Sequence, residues 1–186
     1  MGNTNFTRAK ATKNDEFYTQ YADIESEMNA YLDYDQDVFR GKFVLLPCDD
    51  PEWSNFTRYF AQNFQRLGLK KLISTSYAPR SKPDLFDYAP SEMERGSVRF
   101  DAEKTMTRGK IFVLTNDANR DGAIDIHDLE WDYLDGDGDF RSEEVTRLRD
   151  EADIIITNPP FSLFRDYMAW IMDGEKKFVV IANKNC

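Results

Sequence analysis

Apolar residues along the chain fall into two patterns, one with helical spacing and one of short continuous runs. From Tyr21 to Leu32 they recur every three or four positions, which predicts a helix with one buried stripe. The same spacing predicts further helices at 54–67, 142–149 and 161–172, the first ending at Gly68. Continuous apolar runs predict buried strands at 43–46, 70–76, 110–114, 152–157 and 177–182.

The order of these elements predicts an α/β fold. Strand, helix and strand within 43–76 form a βαβ unit, which implies parallel strands. We expect four parallel strands in a doubly wound sheet, a hairpin between 110–114 and 131–134, and a long loop or insertion at 79–108. Ligands bind such sheets at the carboxyl ends of the strands, which directs attention to the loops after Leu46, Thr75 and Thr157.

Composition narrows the class of protein. The 186 residues are 41% hydrophobic and 14% aromatic, enough to build a core. No apolar run approaches the roughly 20 residues that cross a bilayer, and two cysteines make no disulfide framework, so a reduced, cytoplasmic setting is expected. The net charge of −10 argues against nucleic-acid binding, yet bases and acids are segregated, with a basic tail at 1–14 that we expect to be flexible.

The segment after the strongest strand carries the clearest chemistry. Asn158 is followed by two prolines and Phe161, so the backbone is stiff and two carbonyl oxygens are left to accept hydrogen bonds. Convergent acceptors beside an aromatic ring suit the exocyclic amino group of a planar base. The structural alternative is a proline-stiffened turn that begins a helix, with Phe161 in the core.

Residues 153–161, Asp-Ile-Ile-Ile-Thr-Asn-Pro-Pro-Phe, resemble motif IV of the amino-group DNA methyltransferases. The stretches 136–142 and 158–165 resemble the EcoRI-type adenine-N6 methyltransferase family in particular. Residues 15–20, Asp-Glu-Phe-Tyr-Thr-Gln, are similar to its N-terminal Phe-Tyr-Thr motif, and 48–56 to its first cofactor loop. The resemblance covers 15–186 and is poorest over 79–130. It implies a Rossmann-like class I methyltransferase fold with three α/β/α layers, S-adenosylmethionine as cofactor and adenine in duplex DNA as substrate.

Carried over by position, the resemblance implies a role for each matching residue. The cofactor-binding candidates are Phe17, Tyr18, Thr19, Cys48, Asp49, Asp50, Ser74, Thr75, Asp139 and Phe140. Asp139 would accept from the cofactor adenine, and Phe140 would pack on that ring. The catalytic candidates Asn158, Pro159, Pro160 and Phe161 would hold a target adenine extruded from the duplex.

Three departures from the family pattern stand out. Asp49-Asp50-Pro51 occupies the place of a Gly-rich turn, and no acidic residue follows the second strand, so Ser74 or Thr75 would have to contact the ribose. The resemblance also ends after the fifth family strand. We therefore expect a fold incomplete at the C-terminus, with self-association through an exposed sheet edge as one consequence.

A second motif, within the predicted insertion, indicates a different kind of site. Residues 117–128 match the spacing of a calcium loop, with Gly122 at the turn. The metal candidates are Asp117, Asn119, Asp121, Asp125 and Asp128. A hairpin tip rich in Asp, Asn and Gly has the same appearance.

Three functions therefore stay open from the sequence. The first is a DNA adenine-N6 methyltransferase of a restriction–modification or phage system. The second is a calcium-binding interaction module. The third is an inactive methyltransferase remnant that binds only the cofactor.

Overall fold

A computed structural model describes residues 20–49, 54–79, 90, 92–159 and 161–180. The predicted basic tail and the Phe17, Tyr18 and Thr19 motif lie outside these residues, as do Asp50 and Pro160. The helices are α1 (Tyr21–Tyr34), α2 (Asn55–Gln62), α3 (Phe64–Leu67), α4 (Glu92–Gly96), α5 (Ala102–Thr107), α6 (Glu143–Glu151) and α7 (Phe164–Asp173). The strands are β1 (Phe43–Leu46), β2 (Lys71–Ser76), β3 (Lys110–Leu114), β4 (Glu130–Tyr133), β5 (Ile154–Thr157) and β6 (Lys177–Val180).

The six strands form one mixed sheet in the order β4-β3-β2-β1-β5-β6. β2, β1, β5 and β6 run parallel, which confirms the four parallel strands expected from the sequence. β3 and β4 form the expected antiparallel hairpin, and β3 also pairs antiparallel with β2. In the β2–β3 register Ser76 lies opposite Lys110, so the start of β3 borders the carboxyl end of β2.

Helices cover both faces of this sheet, as a three-layer α/β/α fold requires. Residues of one face, such as Val44 and Leu46, pack with α1, α2 and α3 in one core cluster. The alternate residues of the same strand, Phe43 and Leu45, pack with α6 and α7 in a second cluster. β1 and β5 are buried at every position because each is covered on both faces.

The ends of the helices follow from their capping residues. Ser54 accepts from the backbone N–H groups of Phe56 and Thr57 and so begins α2, and Ser142 caps α6 in the same way. Gly68 adopts a left-handed conformation and ends α3, as expected. The predicted helix over 54–67 is divided at Asn63, and the predicted loop at 79–108 contains the short helices α4 and α5.

Candidate functional site

The candidate site lies at the carboxyl edge of the parallel strands. β1 ends at Leu46 beside the ends of β2 at Ser76 and β5 at Thr157. The three loops that the sequence singled out therefore meet at one edge of the sheet, where ligands bind in α/β folds.

The loop after β1 is held from both neighbouring strands. Thr157, the last residue of β5, donates its hydroxyl to the Pro47 carbonyl at 3.1 Å. On the other side, the Cys48 backbone N–H donates to the Thr75 hydroxyl of β2 at 3.4 Å. Cys48 has a φ of 67°, in the left-handed region that favours glycine. The chain thus places a side chain in a backbone conformation that favours glycine, directly before the Asp49-Asp50-Pro51 turn.

Asp49 contributes a carboxylate at the start of α2. Its side chain is buried, and Oδ1 accepts from the Ser54 hydroxyl at 2.8 Å. The Asp49 backbone carbonyl accepts from Thr57 at 3.3 Å and also from the Ser74 hydroxyl. The loop and the first turn of α2 are therefore one hydrogen-bonded unit.

The structure corrects the predicted ribose contact at the end of β2. Ser74 and Thr75 are both 0% exposed, and their hydroxyls bind the backbone of the loop after β1. In this structure both hydroxyls are therefore taken up by support of the loop after β1.

The loop at 135–140 packs on the end of β2 through unusually close backbone contacts. A Cβ at Gly138, whose φ is 84°, would lie 2.2 Å from the Ser76 carbonyl oxygen. The Ala78 N–H donates to the Asp137 carbonyl at 2.7 Å, which fixes the loop in this position. Only glycine permits this approach, so the Gly-rich stretch lies directly against the carboxyl end of β2.

Asp139 is the carboxylate of this loop that the resemblance assigned to the cofactor. Its side chain is 27% exposed and forms a two-pronged ion pair with Arg141, with N–O distances of 3.0 and 2.7 Å. The hydrogen bonds from Arg141 lower the pKa of Asp139, so the side chain is an anion at neutral pH. Arg141 also lies 3.5 Å from Asp166 on α7.

Phe140 needs a correction as well. Its ring is 0% exposed and packs on Tyr167 with a centroid distance of 4.5 Å. The ring belongs to the core beneath α6 and α7 and offers no face to a ligand in this structure. Because Phe140 lies in a loop, its burial could not be inferred from the spacing of apolar residues.

The Asn-Pro-Pro-Phe segment leaves the end of β5. Asn158 is half-buried and Pro159 is buried. A 3-10 turn at Phe161–Leu163 then leads into α7, as the sequence predicted for this strand–turn–helix. The corner therefore begins one residue after Thr157, which binds the loop after β1.

Two residues at this edge were missed by the sequence reasoning. Tyr77 accepts from the Phe140 N–H at 3.4 Å, and burial, followed by the proximity of Cys48, raises its pKa. Tyr167 is fully buried, and its hydroxyl donates to the Pro47 carbonyl at 3.1 Å. Neither residue stands in a recognisable motif. Only the position of Tyr77 directly after β2, and that of Tyr167 on the inner face of α7, would have indicated them.

The 117–128 loop does not have the arrangement of a metal centre. The carboxylate of Asp128 accepts from the backbone N–H groups of Asn119 and Asp125, both at 3.0 Å, and these bonds lower its pKa. Asp117 accepts in the same way from Asp121 and Gly122. Within the described part of the chain, no three acidic, histidine or cysteine side chains gather as a metal site would require. The calcium hypothesis is therefore not supported.

The structure also bears on membranes. Across the described ranges, none of the helices has the length and apolar character needed to cross a bilayer.

Comparison with known proteins agrees with the family that the sequence motifs resemble. The family model described as adenine-specific methyltransferase EcoRI matches residues 5–186. The chain is 40% identical over 178 residues to the type II methyltransferase M.EcoRI of Escherichia coli, an alignment that covers 96% of this chain and 48% of that protein.

Two mycoplasma proteins match over nearly the same range. M.MpnI of Mycoplasma pneumoniae is 34% identical over 96% of this chain and 43% of its own length, and M.MgeORF184P of Mycoplasma genitalium is 34% identical over 95% and 43%. The chain thus spans about half the length of these relatives. No solved structure matches. Because the family model matches nearly its whole length and M.EcoRI is 40% identical to it, the chain belongs to the EcoRI family of adenine-specific methyltransferases.

Proposed function

We propose that this chain is the cofactor-binding and catalytic part of a site-specific DNA methyltransferase. It would transfer a methyl group from S-adenosylmethionine to the N6 amino group of an adenine flipped out of duplex DNA, in a restriction–modification setting. The observation that carries the proposal is the direct contact between the two candidate loops, since Thr157, next to Asn158, binds the carbonyl of Pro47.

The charges of the loops fit the proposed cofactor. S-adenosylmethionine carries a sulfonium and an ammonium group, and it supplies an activated methyl group when bound. Asp49 lies in the loop after β1, and Asp139 lies in the loop packed against β2. Two carboxylates on the same sheet edge favour a cationic ligand. Asp139, paired with Arg141, would instead accept a hydrogen bond from the adenine amino group of the cofactor, with Arg141 holding its carboxylate in place.

The corner after β5 would act on the target base. The side-chain oxygen of Asn158 and the carbonyl of Pro159 would accept from the adenine amino group, which directs the lone pair of that nitrogen towards the methyl carbon. Bound S-adenosylmethionine would supply the methyl group: the amino nitrogen held by these acceptors would displace its sulfur, with the C–S bonding pair leaving on sulfur, and the nitrogen would then release a proton to water. Positioning and hydrogen-bond acceptors suffice for this displacement.

The test separates binding from transfer. Calorimetry measures the affinity of the chain for S-adenosylmethionine, and labelled cofactor with adenine-containing duplex DNA measures transfer. We expect Asn158→Ala to lower transfer by about 100-fold or more, while cofactor affinity changes by less than about three-fold. Asn116→Ala, an exposed asparagine at the end of β3, is the matched control and should leave both unchanged.

Each outcome has a defined meaning. Cofactor binding without any transfer would identify an inactive remnant that retains only the cofactor site. Absence of cofactor binding would refute the proposal altogether. Loss of both activities in Asn158→Ala would contradict the role assigned to the corner.

A further inference from the structure

The Pro47 carbonyl is the point at which the two halves of the site are joined. It accepts from the Thr157 hydroxyl of β5 and from the Tyr167 hydroxyl of α7, each at 3.1 Å. A carbonyl oxygen has two lone pairs, so two donors use its full capacity. One donor immediately precedes Asn158, and the other lies on the helix that follows the corner.

Both donors are deeply buried. Thr157 and Tyr167 are each 0% exposed, and the Tyr167 ring packs on Phe140 and Trp170 at centroid distances of 4.5 and 5.5 Å. Burial raises the pKa of Tyr167, which keeps the phenol protonated and able to donate. The donors are therefore fixed by packing, and the position of the carbonyl follows from theirs.

Strand pairing does not supply this connection. The β1–β5 register pairs Val44 with Ile154 and Leu45 with Ile155, and the two side-chain hydroxyls act beyond this ladder. Immediately afterwards Cys48 turns into the left-handed region without a glycine. A loop of this kind has little local preference for its own shape, so external hydrogen bonds determine where it lies.

We propose that Thr157 and Tyr167 are positioning residues, which set the distance between the cofactor loop and the corner that holds the target base. The inference rests on the proposed function. In-line transfer requires the methyl carbon and the amino nitrogen to be held about 3 Å apart, and a misplacement of about 1 Å can reduce a rate by about 100-fold. Neither residue would touch the reacting atoms.

The test removes each hydroxyl and keeps its shape. Tyr167→Phe and Thr157→Val each delete the hydrogen bond to the Pro47 carbonyl and the contact between the two hydroxyls, whereas Thr157→Ser retains the donor. The matched control is Tyr59→Phe in the opposite layer. Tyr59 is also 0% exposed, and its hydroxyl accepts from Arg66 at 3.1 Å. The readouts are kcat on duplex DNA, the Kd for S-adenosylmethionine and the midpoint of thermal unfolding.

We expect kcat to fall by about 10-fold in Tyr167→Phe and in Thr157→Val, with the cofactor Kd within about three-fold of wild type. Thr157→Ser should restore most of the rate, and Tyr59→Phe should lower the unfolding midpoint without changing kcat. If the wild type is active and neither substitution lowers kcat, the inference is overturned while the proposed function stands. Losses of kcat that only follow lost stability, as in the control, also overturn it. A wild type that transfers no methyl removes the proposed function and this inference together.

Discussion

A buried ion pair next to the site makes a quantitative prediction about stability. Lys110 at the start of β3 and Glu94 on α4 approach to 2.8 Å, and their side chains are 7% and 3% exposed. Glu94 also accepts from the Thr105 hydroxyl, which in turn lies 2.6 Å from the Tyr133 hydroxyl. The pair therefore connects α4 and α5 to β3, which borders the end of β2, and to β4 beyond it.

The magnitude follows from the distance and the burial. Coulomb's law at an effective dielectric constant of about 20 gives an attraction of about 6 kcal/mol at 2.8 Å. Moving each ion out of water costs several kcal/mol, so the intact pair contributes little net stability. Lys110→Met removes the ammonium group that lies 2.8 Å from the buried Glu94 carboxylate, and this change should cost about 3–5 kcal/mol. Glu94→Gln leaves the ammonium in the same position and should cost nearly as much.

The double variant distinguishes this explanation from a simple loss of contacts. With both charges removed, we expect Glu94→Gln/Lys110→Met to be more stable than either single variant. Urea unfolding followed by circular dichroism measures the three free energies of unfolding. Destabilisations that add, or a cost below about 1 kcal/mol for Lys110→Met, would show that the pair is not electrostatically coupled in the way its burial implies.

Three further predictions concern the loops of the site. Cys48→Gly should be about 1 kcal/mol more stable than Cys48→Ala in thermal unfolding, because only glycine relieves the left-handed backbone; equal stabilities would exclude that strain. Gly138→Ala should lower the free energy of unfolding by more than about 2 kcal/mol and weaken cofactor binding, because its Cβ would meet the Ser76 carbonyl. A cofactor Kd that calorimetry finds unchanged would show that this loop does not contribute to cofactor binding. At pH values above about 4, the ordinary pKa of an aspartate side chain, the lowered pKa of Asp139 contributes to the stability of the fold. This contribution is lost as the pH falls through the lowered pKa. Arg141→Gln should raise that pKa and so reduce the loss of stability as the pH falls below about 4, as chemical denaturation at each pH would show.

Much of the architecture could be predicted from the sequence because burial on both faces produces continuous apolar runs. The run ending at Thr157 and the run ending at Leu46 predicted two neighbouring parallel strands, and the candidate loops follow them at the same edge of the sheet. Hairpin pairing of β3 with β4 followed from the turn-rich segment between them. These features depend on local composition and period, which the chain displays directly.

The direction of individual side chains could not be predicted in the same way. Ser74, Thr75 and Phe140 lie in the expected segments, yet all three are 0% exposed and serve packing or loop support. The calcium-like spacing of 117–128 failed for a related reason, because carboxylates such as Asp128 bind backbone N–H groups of their own loop. Tertiary packing in the first case and hydrogen bonds within the loop in the second decide how these side chains are used, and the sequence pattern does not display either.

The loop after β1 contains no glycine, and hydroxyl groups from neighbouring elements hold its backbone in place instead. The Asp49 carbonyl accepts from Thr57 of the α2 layer, and the Pro47 carbonyl accepts from Tyr167 of the α7 layer on the opposite face of the sheet. Donors fixed in two separate cores thus hold a backbone turn that glycine would otherwise adopt at low cost. Hydrogen bonds that share one loop are coupled, so removing the Thr57 and Tyr167 hydroxyls together should affect transfer by more than the product of the single effects. Single substitutions then underestimate how strongly the loop depends on its neighbours.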